Sequence, residues 1–305
     1  MQTEGMRTVR SWCKRLGVLL LVLGLQGCGT SFPSRPPSGA FADGLAADAI
    51  FQRCLATHGG DLRDSAGDLN LSITGVWDTL IQKIQPVISD AGYRVTSQER
   101  TRAGGALYTV RYEGPAGTKK VVRTPDSTEV YYNGVRESDP ARLQATAVTS
   151  DTYQLFHFSP SFLVWRGASF VRLEDVSESG TWYHRLLATI RPGFGYSAED
   201  KVILWIDRAT FRLFRVHLTL EGFESTKGAH VDTTFLEYRQ IGRFLMPVSF
   251  NERVRGPLRI NAHRWHLTGI DFGRGWTDAE VSGPDFTGKA AVPAGPLVPP
   301  IVDPR

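Results

Sequence analysis

Two stretches in the last third of this chain place their large apolar side chains on one parity, and this restricts the fold more than any other feature. Phe214, Val216, Leu218 and Leu220 alternate with Arg215, His217, Thr219 and Glu221, while Phe244, Met246, Val248 and Phe250 alternate with Pro247, Ser249 and Asn251. Successive side chains of a strand point to opposite faces, so both stretches read as β-strands with one apolar side. Further strand-like runs, bounded by Gly, Pro, Asn and Asp, cover 68–75, 93–102, 107–113, 119–123, 128–132, 168–176, 183–190, 201–207, 211–220, 231–238, 244–252 and 260–271. Asn133-Gly134 is the strongest of the hairpin signals between them. An antiparallel sheet of about ten or more short strands with one apolar face does not stay flat; it curls.

Something apolar must fill the concave side, and two helical segments are available. Residues 45–57 have apolar positions at helical spacing and stop at Gly59-Gly60. A second helix is expected from Pro140 to about Phe158, with Asp139 as N-cap and Pro140 at the first helical position. The stretch that follows, with Phe156, Phe158, Phe162, Leu163, Val164 and Trp165, is the most apolar outside the N-terminus and requires cover. No composition shift marks a boundary at this interruption, so 45–287 is expected to be one domain.

The N-terminus carries a different signal. Arg7, Arg10, Lys14 and Arg15 precede an apolar run from Leu16 to Leu25, which ends in Leu25-Gln26-Gly27-Cys28. A basic region, a short apolar stretch and small residues before a cleavage point form a secretory signal, and the stretch falls short of the ~20 apolar residues that span a bilayer. The ending resembles a bacterial lipobox, which implies cleavage before Cys28 and acylation of its thiol and new amine. This divides the chain into a signal peptide at 1–27, a lipidated Cys28 with a Pro- and Ser-rich tether to residue 44, the domain at 45–287, and a Pro-rich tail at 288–305, expected disordered or loosely docked. Two or three acyl chains anchor a protein stably. Removal of the signal takes four basic residues and one acid, Glu4, from 35 Lys+Arg and 31 Asp+Glu, so the mature chain is nearly neutral and gives no support to a nucleic-acid partner. Cys54 is then the remaining cysteine, on the apolar face of the first helix.

Motifs for catalysis or metal binding are weak. His58-Gly59-Gly60-Asp61 pairs an imidazole with a carboxylate, but a histidine followed by glycines also describes a helix C-terminus. His263 and His266 fall on opposite faces of a strand and cannot hold one metal. The segment 114–119 lacks the spacing of a phosphate loop, and 195–199 lacks the closing glycine of a nucleophile elbow. The reading is therefore non-enzymatic, with no cofactor and no metal; a hydrolase using His58 and Asp61 is the remote alternative.

Val202-Ile203-Leu204-Trp205-Ile206-Asp207, a short turn and the return strand Phe211 to Val216 resemble a hairpin of the LolA/LolB-like lipoprotein carrier and receptor superfamily. Arg243-Phe244-Leu245-Met246-Pro247 resembles its Pro-bearing return strand. The resemblance implies a mainly β fold with helices (α+β), a curled antiparallel sheet forming an incomplete barrel closed by helices, with an apolar cavity for acyl chains. Phe214, Val216, Leu218, Phe244, Met246, Val248 and Phe250 are the candidate cavity residues. The expected protein is an envelope lipoprotein facing the periplasm that binds or transfers a lipid. Its partners would be the membrane, a lipid ligand and an envelope protein. The alternative is an accessory interaction module in which helices fill the same concavity. Gly29 is not the Asp that retains enteric lipoproteins in the inner membrane, which favours the outer membrane. A Cys28→Ser variant is expected to accumulate as an uncleaved precursor or a soluble form, read by mass spectrometry and membrane fractionation; unchanged mass and fractionation would end the lipoprotein reading.

Overall fold

The computed structural model describes residues 31–37, 39, 41–64, 67–286, 290–293 and 297–298. The segment expected to be a signal peptide, 1–27, and Cys28 lie outside the described residues. Helix α1 (Ala47–Thr57) is followed by β1 (Asp68–Trp77), two short helices α2 (Thr79–Ile84) and α3 (Pro86–Ser89), and the meander β2 (Thr96–Arg102), β3 (Tyr108–Gly114), β4 (Gly117–Arg123), β5 (Thr128–Tyr132) and β6 (Val135–Arg136). Helices α4 (Pro140–Phe158) and α5 (Ser161–Trp165) lead to a second meander: β7 (Ser169–Glu178), β8 (Thr181–Ile190), β9 (Asp200–Asp207), β10 (Leu213–Thr219), β11 (His230–Ile241), β12 (Phe244–Gly256) and β13 (Ile260–Phe272). The chain ends with α6 (Asp278–Val281) and β14 (Leu297–Val298).

All strands join one antiparallel sheet in the order β6-β5-β4-β3-β2-β1-β13-β12-β11-β10-β9-β8-β7, with β14 added beside β11. The seam between the two meanders is the β1–β13 pairing, which runs from Leu69 opposite Phe272 to Trp77 opposite His263. The end strands β6 and β7 do not pair, so the barrel is incomplete. They are consecutive in the chain, and α4 is the connection between them.

Helix α4 begins where its sequence predicts. The Asp139 carboxylate accepts from Ala141 N at 2.8 Å, and Pro140 occupies the first turn. From Ala145 to Phe158 every residue except Thr149 is buried, the signature of a helix enclosed on all sides. Val148, Tyr153, Leu155, Phe156 and Phe158 share one core with Leu71, Tyr108, Val110 and Val121 from one arm of the sheet and with Leu204, Val216, Val248 and Phe250 from the other. Ile50, Phe51 and Cys54 of α1 complete it. A buried ion pair fixes the helix: Arg123 grips Asp151 through Nε and Nη2 at 3.0 and 2.9 Å, and Gly195 N donates to the same carboxylate.

The structure departs from the sequence reading in several places. Residues 79–89, left unassigned by periodicity, form α2 and α3; Asp78 caps the first by accepting from Leu80 N at 2.9 Å, and Pro86 opens the second. The strand expected from residue 93 starts at Thr96, because the chain first turns through Asp90 at φ 44°. The tether is partly docked: Phe32 packs on Leu173, Leu187, Ile203 and Trp205, and Asp43 pairs with Arg172 at 2.5 Å. The tail is likewise held, with Ala291 N donating to Ser72 Oγ and Ile270 N to Val292 O, both at 2.8 Å. Gly269 permits this approach, since a Cβ there would lie 2.4 Å from Ala291 O.

Val248 is 3% exposed within this core. Val248→Glu buries a carboxylate without a partner and is expected to unfold the domain, as read by loss of the near-UV circular dichroism signal; a folded variant would require open space beside Val248.

Candidate functional site

The curled sheet is not filled to its end. Beyond Phe250 the inner face of β12 continues with Glu252 and Val254, and there a cleft of about 180 Å³ opens. Its walls are Ile81, Ile84 and Ile88 from α2 and α3, Val148, Thr149, Thr152 and Tyr153 from α4, and Val231, Glu252, Val254, Ile260 and Ala262 from the sheet. Residues between β10 and β11 form the remaining side, including Leu220, Ser225 and Ala229. Two hydrogen bonds span the cleft: Gln85 Nε2 donates to Ser225 O at 3.0 Å, and Ser225 Oγ to Gln85 Oε1 at 2.8 Å. Helices α2 and α3 are held at their other end by Asp90, which accepts from Lys119 Nζ at 2.7 Å and Tyr132 OH at 2.6 Å.

Register explains which side chains meet behind the cleft. Thr233 lies opposite Glu252, Glu252 opposite His263, and His263 opposite Trp77. A bulge after Glu252 brings Ala262 and His263 together at this end of the strand. Trp77 stacks on His263 at 4.2 Å between centroids, His263 on Trp265 at 4.8 Å, and Trp265 on Phe250 at 4.8 Å. Gly75 makes room for this stack, since a Cβ there would lie 2.6 Å from His263 Nε2. The Arg94 guanidinium sits over Trp77, Tyr112 and Tyr153 at 4.9, 5.2 and 4.9 Å.

Polar groups in this row are expensive to bury. His263 is held neutral by burial and by the nearby Arg94 and His157. Its Nδ1 and the Tyr153 hydroxyl are hydrogen-bonded at 2.5 Å. Among the described residues, His263 Nε2, Trp77 Nε1, Thr233 Oγ1 and Arg94 Nε are buried without a hydrogen-bond partner. Glu252 is 9% exposed. Burial pushes its carboxyl up from an ordinary 4.5 to about 7, with Arg94 opposing and Asp232 adding to the shift.

The seven residues anticipated as a cavity wall lie elsewhere. Val216, Leu218, Phe244, Met246, Val248 and Phe250 are buried in the main core against helices, and none of the seven lines the cleft. Phe214 leaves that face altogether. A bulge between Leu213 and Arg215 shifts the register, Leu213 takes the inner position, and Phe214 stacks on Tyr183 at 4.6 Å. Glu252 was missed although it continues the same even-numbered face, Phe244 to Phe250, that the alternation identified. A carboxylate in step with an apolar series was the available signal.

His58 and Asp61 do not meet as a catalytic pair. His58 Nδ1 donates to Leu245 O at 3.0 Å and Nε2 accepts from Leu213 N at 3.1 Å, and burial lowers its pKa to about 4. Asp61 instead accepts from Trp165 Nε1 and from Arg63. Burial pushes the Cys54 thiol up, which suits a core position rather than a nucleophile. Asp43, Asp175 and His184 could place ligand atoms within 4.8 Å of one another. The Arg172 guanidinium already bridges the two carboxylates at 2.5 and 3.2 Å.

No family model matches this chain, and no curated protein matches it. Among solved structures it is similar to a LolA superfamily protein from Nitrosomonas europaea, with 13% identity and a TM-score of 0.49 over 78% of this chain and 98% of that one. A DUF1329 family protein from Desulfovibrio piger gives 12% identity and a TM-score of 0.47, covering 78% and 97%. A putative outer membrane lipoprotein-sorting protein domain from Vibrio parahaemolyticus gives 14% and 0.43, covering 77% and 95%. The fold class rests on the strand order and register described above.

A carboxyl whose pKa is raised on folding stabilises the folded state less as pH rises. The native protein holds the Glu252 proton between pH 4.5 and about 7, whereas the unfolded chain releases it, so stability falls through that window. Glu252→Gln is expected to remove this slope, gaining up to roughly 3 kcal/mol over the wild type at pH 8 and little at pH 4. Parallel urea titrations at the two pH values measure it, and identical slopes would place the proton elsewhere.

Proposed function

We propose that this protein is a lipid-anchored lipoprotein of the bacterial envelope, facing the periplasm, whose domain binds an acyl chain or a comparable apolar group in the cleft between α2–α3 and β11–β13. The cleft carries this reading: it is bounded by isoleucine, valine and leucine side chains with few polar groups, the composition of a small-molecule site. Its size sets a limit. An apolar cavity of ~150 Å³ accepts a benzene-sized molecule, so about 180 Å³ accommodates a ring or the terminal segment of one chain. A longer ligand requires α2 and α3 to move, and these helices bury little beyond Ile81 and Ser89. Anchoring through Cys28 and residence in the outer membrane are parts of the same proposal. No catalytic step is involved, since burial of apolar surface at about 25 cal/mol per Å² suffices for affinity.

The filled core beneath the anticipated cavity face favours the rival, an envelope accessory module that acts on a protein partner. Binding separates the two. Protein extracted from membranes should release a co-purified lipid on solvent extraction, and the delipidated protein should bind a fluorescent fatty acid. Ala229→Trp, at the half-buried edge of the cleft, is expected to weaken that binding at least tenfold without lowering thermal stability. No lipid on extraction and no binding of the probe would leave the accessory module.

A further inference from the structure

The cleft combines apolar walls with one carboxyl that has no partner. Glu252 is nine-tenths buried and lines the cleft, and among the described residues its carboxyl makes no side-chain hydrogen bond or ion pair. Its position is rigid, fixed in register between Thr233 and His263. A lone buried carboxyl costs stability, and the even-numbered neighbours on the same strand are all apolar. The exception lies on the wall of the cleft, among Tyr153, Val231, Val254 and Ala262.

We infer that Glu252 accepts a hydrogen bond from an uncharged donor group, a hydroxyl in the simplest case, on an otherwise apolar ligand whose body lies against Ile81, Ile88 and Val254. This rests on the reading of the cleft as a ligand site. Charge selects the class. The Arg94 guanidinium lies over the Trp77 and Tyr153 rings, both of which line the cleft, so a ligand cation would meet a buried positive charge. A ligand carboxylate or phosphate would meet Glu252 itself. A hydroxyl serves both forms of the carboxyl, donating to the ionised form and accepting from the protonated one, and Glu252 changes between them near pH 7.

Phenol and toluene test this, being nearly isosteric and close to the cleft in size, with one donor of difference. The full-length lipidated protein in phosphatidylcholine nanodiscs would be loaded with the fluorescent fatty acid, and each compound titrated as a competitor with its membrane partitioning subtracted. Phenol is expected to displace the probe at about tenfold lower concentration than toluene. Glu252→Leu should abolish that preference while toluene competes as before, and Glu252→Gln, which keeps an acceptor oxygen, should retain most of it. Equal competition by phenol and toluene in the wild type overturns the inference and leaves the apolar cleft standing. Tighter competition by benzylamine than by phenol also overturns it, in favour of a cation site. If no compound competes with a bound probe, the probe is not in the cleft, and both the cleft reading and this inference fail. The wild-type ratio decides even if the leucine variant does not fold.

Discussion

The enclosure of α4 by the sheet is the constraint on which the rest of the structure depends. Thirteen of the fourteen residues from Ala145 to Phe158 are buried, so the helix needs protein on every side; the two arms of the sheet supply it by curling from the β1–β13 seam. Because α4 also links the unpaired end strands, it closes the concavity that their lack of pairing leaves open. The Arg123–Asp151 pair offsets the burial of two charges by holding them in bidentate geometry. Such a pair fixes the helix in place more than it adds to stability.

The same helix decides where a ligand could enter. Phe156 packs against Trp265 and His157 against Phe250, filling the middle of the half-barrel, whereas Val148, Thr149 and Thr152 nearer the helix start leave space against α2 and α3. The cleft is therefore the unfilled end of one continuous core. A row of polar groups lies at this boundary, from Thr233 through Glu252 and His263 to Trp77. In a region built for packing alone, such groups would be replaced at no cost by apolar ones, and departures from consistent packing concentrate at functional sites.

Bulges determine which residues reach this region. One extra residue reverses the facing of every later side chain on a strand. At Leu213–Arg215 it sends Phe214 outward to Tyr183 and brings Leu213 into the core. Between Glu252 and Arg253 it turns the end of β13 so that both Ala262 and His263 serve the inner side. The chain ends cover what remains: Phe32 shields an apolar patch on the outer face, and the segment 290–293 runs along β13.

The sequence by itself determined the elements whose signals are local. The Asp139-Pro140 start of α4, the glycine stop after α1, the strand alternation and the curl it demands were all legible, because capping, turn chemistry and side-chain parity act over a few residues. The even face of β12 was legible as well, as a buried surface. Whether that face enclosed a cavity was decided only by tertiary structure, since it depended on how much volume α4 brings to the middle of the sheet. Helices α2 and α3 were hidden because six and four residues are too few for periodicity to register. The meeting of Glu252 with His263, Trp77, Tyr153 and Arg94 joins residues up to 186 positions apart, in β12, β13, β1, α4 and the segment before β2; pairing register and one bulge align the strand residues, and neither can be read from a single strand.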